Sequence, residues 1–244
     1  MILALAKNKV ETRLKKEGLF EEAIKIKAKV LSAQEAIGNP ERDDFPLLKG
    51  REKMIEANFK GYLGHAFTDM YGGFEGQIVE LFNMPLNNNY RGALMVATIN
   101  ALSQYWGLVE NTVHCKDDQP QKCADKCLDY FRQEYPQARK ITLIGFQPAL
   151  AEAFAQHYSL KILDLDKDNV GQEKHNVFIL DGQKDMKEAL EWADVTLATG
   201  STVVNGTIDS ILEVSGSSMK VVFYGVTIAG VAYWLGLKRI CFTE

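Results

Sequence analysis

No run of apolar residues in this chain approaches the ~20 that a membrane-spanning helix needs. Charge of one sign is not in excess either. Lys and Arg number 28 against 32 Asp and Glu, a formal net charge of −4, so nothing argues for a nucleic-acid surface. The start of the chain is locally basic, with Lys7, Lys9, Arg13, Lys15 and Lys16. Glu11, Glu17, Glu21 and Glu22 interrupt it, which is the pattern of a solvated helix face. There is no internal repeat, no low-complexity tract, no serine nucleophile elbow and no zinc-protease pattern. The opening MILALAKNKVE is too short an apolar stretch for a secretory signal. A cytoplasmic protein is expected. Its thiols stay reduced there, so its four cysteines serve as ligands, nucleophiles or core residues, not as disulfides.

What is present has two textures. Residues 3–37 favour one helix, with Leu14, Ile24 and Leu31 on an apolar side, stopped by Gly38-Asn39-Pro40. KMIEANFKGYLGHAFTDMYG reads as one or two strands, with Gly61 and Gly64 as bends. EGQIVELFNM is a short helix, LNNNYRG a polar loop, and ALMVATINALSQYWGL a buried helix closed by Gly107. From Arg139 onward short apolar strands alternate with helices. That pattern predicts a parallel sheet covered on both faces, and the α/β class with a Rossmann-like C-terminal domain.

Four places could carry chemistry. In VHCKDDQPQKCADKC, Asp117 to Pro120 start a helix that puts Cys123 and Cys127 on one face. His114 and Cys115 precede it and could fold back to complete a soft-metal site. The spacing matches neither a zinc ribbon nor a ferredoxin run, and the same cysteines could pack as small hydrophobes. In LIGFQPAL only Gly145 of a glycine-rich turn is present; Gln147 and Pro148 replace the later glycines, against ordinary NAD binding. Asp164 and Asp166 end the next strand, where a ribose-binding acid sits or an acid simply terminates the strand. In ATGSTVVNGT, Gly200, Ser201, Thr202, Asn205 and Thr207 either bind an anion or cap the following helix. Finally, GHAFTDMYGGFEG and NNNYRG offer His65, Asp69 and Arg91 as acid–base, metal or anion-binding groups.

The segments GHAFTDMYGGFEG, RGALMVATINALSQYWGLVENTVHC, LIGFQPAL, DLDKDNVG, EWADVTLATGSTVVNGTIDSIL and VVFYGVTIAGVAYWLGL together resemble the bacterial and archaeal family labelled putative heavy-metal chelation proteins. The resemblance covers about residues 50–244. It implies a smaller α+β domain like the N-terminal domain of enolase, at 1–90, and a Rossmann-like domain at 91–244 that includes the apolar helix. It also favours the thiol stretch, His114, Cys115 and Cys123 with Cys127 beside them, as the metal ligands. Ligand is expected in the cleft between the domains, walled by 145–148, 199–207, 225–230 and the 65–76 and 87–91 loops. The leading functional expectation is a protein that binds a transition or heavy metal, or a metal-bearing small molecule, with no nucleic-acid or membrane partner. The alternative is an enzyme holding a nucleotide-type ligand such as S-adenosylmethionine. A homo-oligomer stays open.

Overall fold

In KIKAKVL lysine alternates with apolar residues, and this period of two decides the local structure. The computed structural model describes residues 1–20, 25–49, 52–216 and 220–242. The first helix, α1, is only Ile2–Lys16. Gly18, at φ +73°, turns the chain out of it. Residues 25–31 then form strand β1 (Lys25–Leu31), not the continuation of a helix. The expected helix over 3–37 is corrected here, and its residues 21–24 lie outside the described ones. The reason is tertiary: β1 pairs antiparallel on both sides, so its backbone is satisfied by neighbours whatever its helix propensity. Helix α2 (Ala33–Ile37) follows, started by a capping box between Ser32 and Glu35.

A short helix, α3 (Pro46–Lys49), leads to strands β2 (Lys53–Phe59) and β3 (Tyr62–Thr68). These are joined by a tight turn with Lys60 at φ 52° and Gly61 at φ 91°. Gly64 is not a bend. It lies inside β3, where a Cβ would stand 2.2 Å from the Ala97 carbonyl oxygen, so its bare backbone lets a helix lie directly on the strand. Strand β4 (Phe74–Gln77) and helix α4 (Ile78–Phe82) complete this part. The antiparallel sheet has the order β3-β2-β1-β4.

Helix α5 (Asn89–Tyr105) is buried on every side from Gly92 to Ser103. It begins within the expected NNNYRG loop, because Asn88 caps it by accepting from Arg91 N at 2.9 Å. It packs on β2 and β3 and also touches α1, which accounts for its lack of a polar face. Helix α6 (Gln119–Glu134) begins where Asp117 to Pro120 predicted.

Then follow β5 (Lys140–Ile144), α7 (Pro148–Ala155), β6 (Ser159–Asp164), β7 (Glu173–Lys174), β8 (Val177–Asp181), α8 (Met186–Trp192), β9 (Val195–Thr199), α9 (Thr207–Ser215), β10 (Lys220–Tyr224), α10 (Ala229–Leu235) and β11 (Arg239–Ile240). The sheet order is β11-β10-β9-β5-β6-β8-β7. All its pairs are parallel except the two-residue edge β7. Counted from β5 without that edge, this is the doubly wound order 3-2-1-4-5-6, whose switch point lies between β5 and β9. Alternate residues face opposite layers. Leu143, Leu197 and Val222 join the core under α6 and α7, while Ile144, Ala198 and Phe223 join the core shared with α5, α8, α9 and α10.

Candidate functional site

The turns leaving β5, β6, β8, β9, β10 and β11 all open into one cavity of about 210 Å3. It runs along the carboxyl edge of the parallel sheet, the place where open α/β sheets bind ligands. Its other wall comes from Ile37, residues 44–47, Lys49, Glu52, Phe67, the 114–115 loop and α6. The two ends of the cavity differ in chemistry.

One end is thiol-rich. Cys115, Cys123, Cys127 and Cys241, with His114, all line it, and all four cysteines are free. Cys127 is 1% exposed and belongs to the apolar core under α6, so the core-packing alternative holds for it as well. Cys123 is one helical turn earlier and partly exposed. These two thiols act on each other: Cys123 and burial push Cys127 up, while Cys127 helps hold the Cys123 thiol below its usual range. The backbone of Phe242 and the charges of Lys126 and Arg239 help in the same direction. Burial pushes Cys115 up to about 12 and Cys241 up to about 11, so both are neutral thiols. Cys241 was not singled out in the sequence, since it stands alone at the far end of the chain. Among the described residues no three His, Cys, Asp or Glu side chains form a ready metal-holding group.

His114 owes its position to His65. The His114 N–H donates to His65 Nδ1 at 3.0 Å, which makes Nε2 the protonated nitrogen of His65, and that nitrogen donates to Glu56 at 3.0 Å. His65 is buried and does not line the cavity; it supports the loop that does. Burial pushes His114 down to about 4, so its ring is neutral, the form that binds metals. Its Nδ1 is buried with no hydrogen-bond partner.

At the other end the polar groups are already engaged. Gly145 takes φ +86° and a Cβ there would meet Thr199 Cγ2 at 2.6 Å, so only glycine fits the switch point. Its carbonyl accepts from the Tyr224 hydroxyl at 3.1 Å. Gln147 caps α7 by accepting from Leu150 N, and Pro148 is buried in the first turn and does not line the cavity. Asp164 accepts from Phe146 N and Asp166 N, each at 2.8 Å; burial raises its pKa above the usual carboxylate range. Thr199 accepts from Ser201 N, Thr202 donates to Thr199 O at 2.8 Å, and Asn205 Oδ1 accepts from both Thr207 N and its hydroxyl. These five residues and Gly200 line the cavity, but most of their bonding serves the turn itself. Glu52 also lines it. Burial, and then the charges of Asp164, Asp69 and Asp166, raise it to about 7.

Besides His65 and Pro148, two more expected residues lie elsewhere. Arg91 donates to Asn87 Oδ1 at 2.9 Å, and Asp69 accepts from Asn89 Nδ2 at 2.7 Å. Neither lines the cavity. Both organise the start of α5. Of the two loops named with them, 65–76 contributes Phe67 and 87–91 contributes nothing.

Fold and cleft thus define a mixed α/β protein with an antiparallel sheet set beside a doubly wound parallel one. Residues 128–238 match the model of the DUF364 family, described as "Putative heavy-metal chelation", in agreement with the resemblance carried by the motifs. The matched stretch holds most of the carboxyl-edge turns and none of the four cysteines. A solved protein of unknown function from the DUF364 family of Pyrococcus horikoshii is similar in structure, with a TM-score of 0.57 and 18% identity over 93% of this chain and 80% of that one. A second, from Desulfitobacterium hafniense, has a TM-score of 0.50 and 16% identity over 75% of this chain and 73% of that one. At such identities the likeness shows the fold alone. No curated protein matches. Among the described residues no helix is long and apolar enough to cross a membrane.

Proposed function

We propose that this chain binds a transition or heavy-metal ion, or a small molecule bearing one, in the cleft along the carboxyl edge of its parallel sheet. One observation carries the reading: four cysteines from three separate parts of the chain, with a neutral histidine, line the same cavity. Soft sulfur donors prefer soft ions over magnesium or calcium. The metal is cargo or part of the ligand. The cytoplasm, where thiols stay reduced, is the compartment that suits this role.

The test is elemental analysis of protein purified without an affinity tag, beside a variant with all four cysteines changed to serine. Wild type should retain a soft metal that the variant lacks. Equal metal in both, at background level, ends the reading.

A second reading has its own observation. The strand order and the acid at the end of β6 suit a nucleoside. Pro148 and the Gln147 cap occupy the helix start where a pyrophosphate would need free N–H groups. A phosphate-free adenosyl compound such as S-adenosylmethionine therefore fits better than a dinucleotide. Thermal unfolding separates the two readings, because a ligand at ~100 times its dissociation constant adds about 2.7 kcal/mol. Stabilisation by an adenosyl compound and by no metal would favour the enzyme.

A further inference from the structure

We propose that the thiol end takes a soft monovalent ion, copper(I) in chemical class, held in a low-coordinate shell by Cys123 and Cys127 and not in a divalent tetrahedral site. The inference rests on the metal reading above and names the ion that reading leaves open.

Cys123 and Cys127 sit one turn apart on one face of α6, and both line the cavity. Two sulfurs so placed need little movement to grip one ion. A third sulfur is not gathered with them among the described residues, so a four-sulfur zinc shell would require the walls to rearrange. A low-coordinate thiolate shell suits copper(I), whereas structural zinc is almost always four-coordinate.

Charge points the same way. The Arg239 guanidinium stands beside Cys123 and Cys241. It cannot swing aside, because Nε donates to Gly225 O at 2.8 Å, Nη2 to Asn111 O at 2.6 Å and Nη1 to Glu110 O at 3.2 Å. Those acceptors are neutral, so they leave its positive charge in place. Lys126 also acts on Cys123 but is exposed to solvent; the two thiolates, the fixed guanidinium and a monovalent ion sum to zero. A divalent ion would leave an excess positive charge in a half-buried place, where uncompensated charge is costly. His114 offers the orphaned Nδ1 on the same cavity wall, a donor that can widen the shell without adding charge.

The test uses the reduced, untagged full chain under anaerobic conditions. Copper(I) is supplied against the chelator bicinchoninate, zinc against a chromophoric chelator, and the copper(I) complex is examined by X-ray absorption. One copper(I) per chain with two sulfur neighbours is expected, and zinc should be surrendered to the chelator. Cys123→Ser and Cys127→Ser should each weaken copper(I) by more than the roughly 10- to 100-fold that a supporting residue is worth; Cys115→Ser and Cys241→Ser should fall within or below that range. Arg239→Gln should improve zinc retention relative to copper(I), and Arg239→Lys should restore the original preference. If a variant does not fold, the sulfur count in wild type still decides. Three or four sulfurs, or zinc held through Cys115 and Cys241, would overturn the inference while leaving metal binding intact. Failure of both ions to bind would remove the metal reading with it.

Discussion

The two ends of the cleft differ in residue type, thiols and an imidazole against hydroxyls, amides and carboxylates, and also in what those residues still have to give. At the hydroxyl end Asn205, Gln147, Thr199 and Asp164 spend their hydrogen bonds on their own turns. At the thiol end His114 Nδ1 is orphaned, and Cys123 and Cys127 pack mainly against apolar side chains. A buried polar group left unsatisfied costs about 1–3 kcal/mol. Groups of the first kind build the fold, and groups of the second kind tolerate that cost where a ligand would remove it.

The largest expected effect falls on what the two ends share. Asn100 on α5 donates to His65 O at 2.9 Å, Val226 O at 3.1 Å and Thr227 O at 2.9 Å, and accepts from Gly230 N at 2.7 Å. It ties the antiparallel sheet to the turn after β10. Asn100→Ala should cost about 4 kcal/mol in urea unfolding, since several buried groups lose their partner. A loss below ~1 kcal/mol would show that the two halves are held together some other way.

Next comes a contrast in pH response. His114 titrates near 4 in the folded protein, below its ordinary ~6.5. As pH falls through that window the unfolded chain takes up the proton first, so stability falls with acidification. Glu52 titrates near 7 when folded, above its ordinary ~4.3. The folded chain takes up that proton first, so stability rises with acidification between about 7 and 4.3. The two slopes oppose each other where the windows overlap. Glu52→Gln should remove one of them. Between pH 6.5 and 4.5 the variant should lose stability faster than wild type, by up to about 1.4 kcal/mol per pH unit. Parallel curves for the two proteins would refute the assignment.

The smallest effect sharpens the comparison most directly. Asn205→Ala with Thr207→Val should cost only the ~1 kcal/mol of the hydrogen bonds that close the turn before α9 and leave copper(I) binding unchanged. Metal loss with unchanged stability would mean that the hydroxyl end is a ligand site after all.

Much of this was legible because it is local. The alternation after Arg139 appears in the letters, as do Pro148 opening α7, the α6 start at Asp117 to Pro120 and the pairing of Cys123 with Cys127 across one turn. Each depends on residues a few positions apart. Strand β1 was not legible in the same way. KIKAKVL carries both a helix propensity and a strand period, and only pairing with β2 and β4 selects the strand. Gly64 looked like a bend until a helix lay on it.

The sequence by itself determined the class of the parallel sheet, because buried strands and covering helices must write their periods into the chain. It also determined which residues could be ligands. Tertiary structure alone decided which of them meet. It brought Cys241, just after the last strand, to the cavity that Cys123 also lines, set Arg239 beside both and turned Arg91 and Asp69 away to the start of α5. Convergence of distant segments is set by how the sheets pack, and no local period records that.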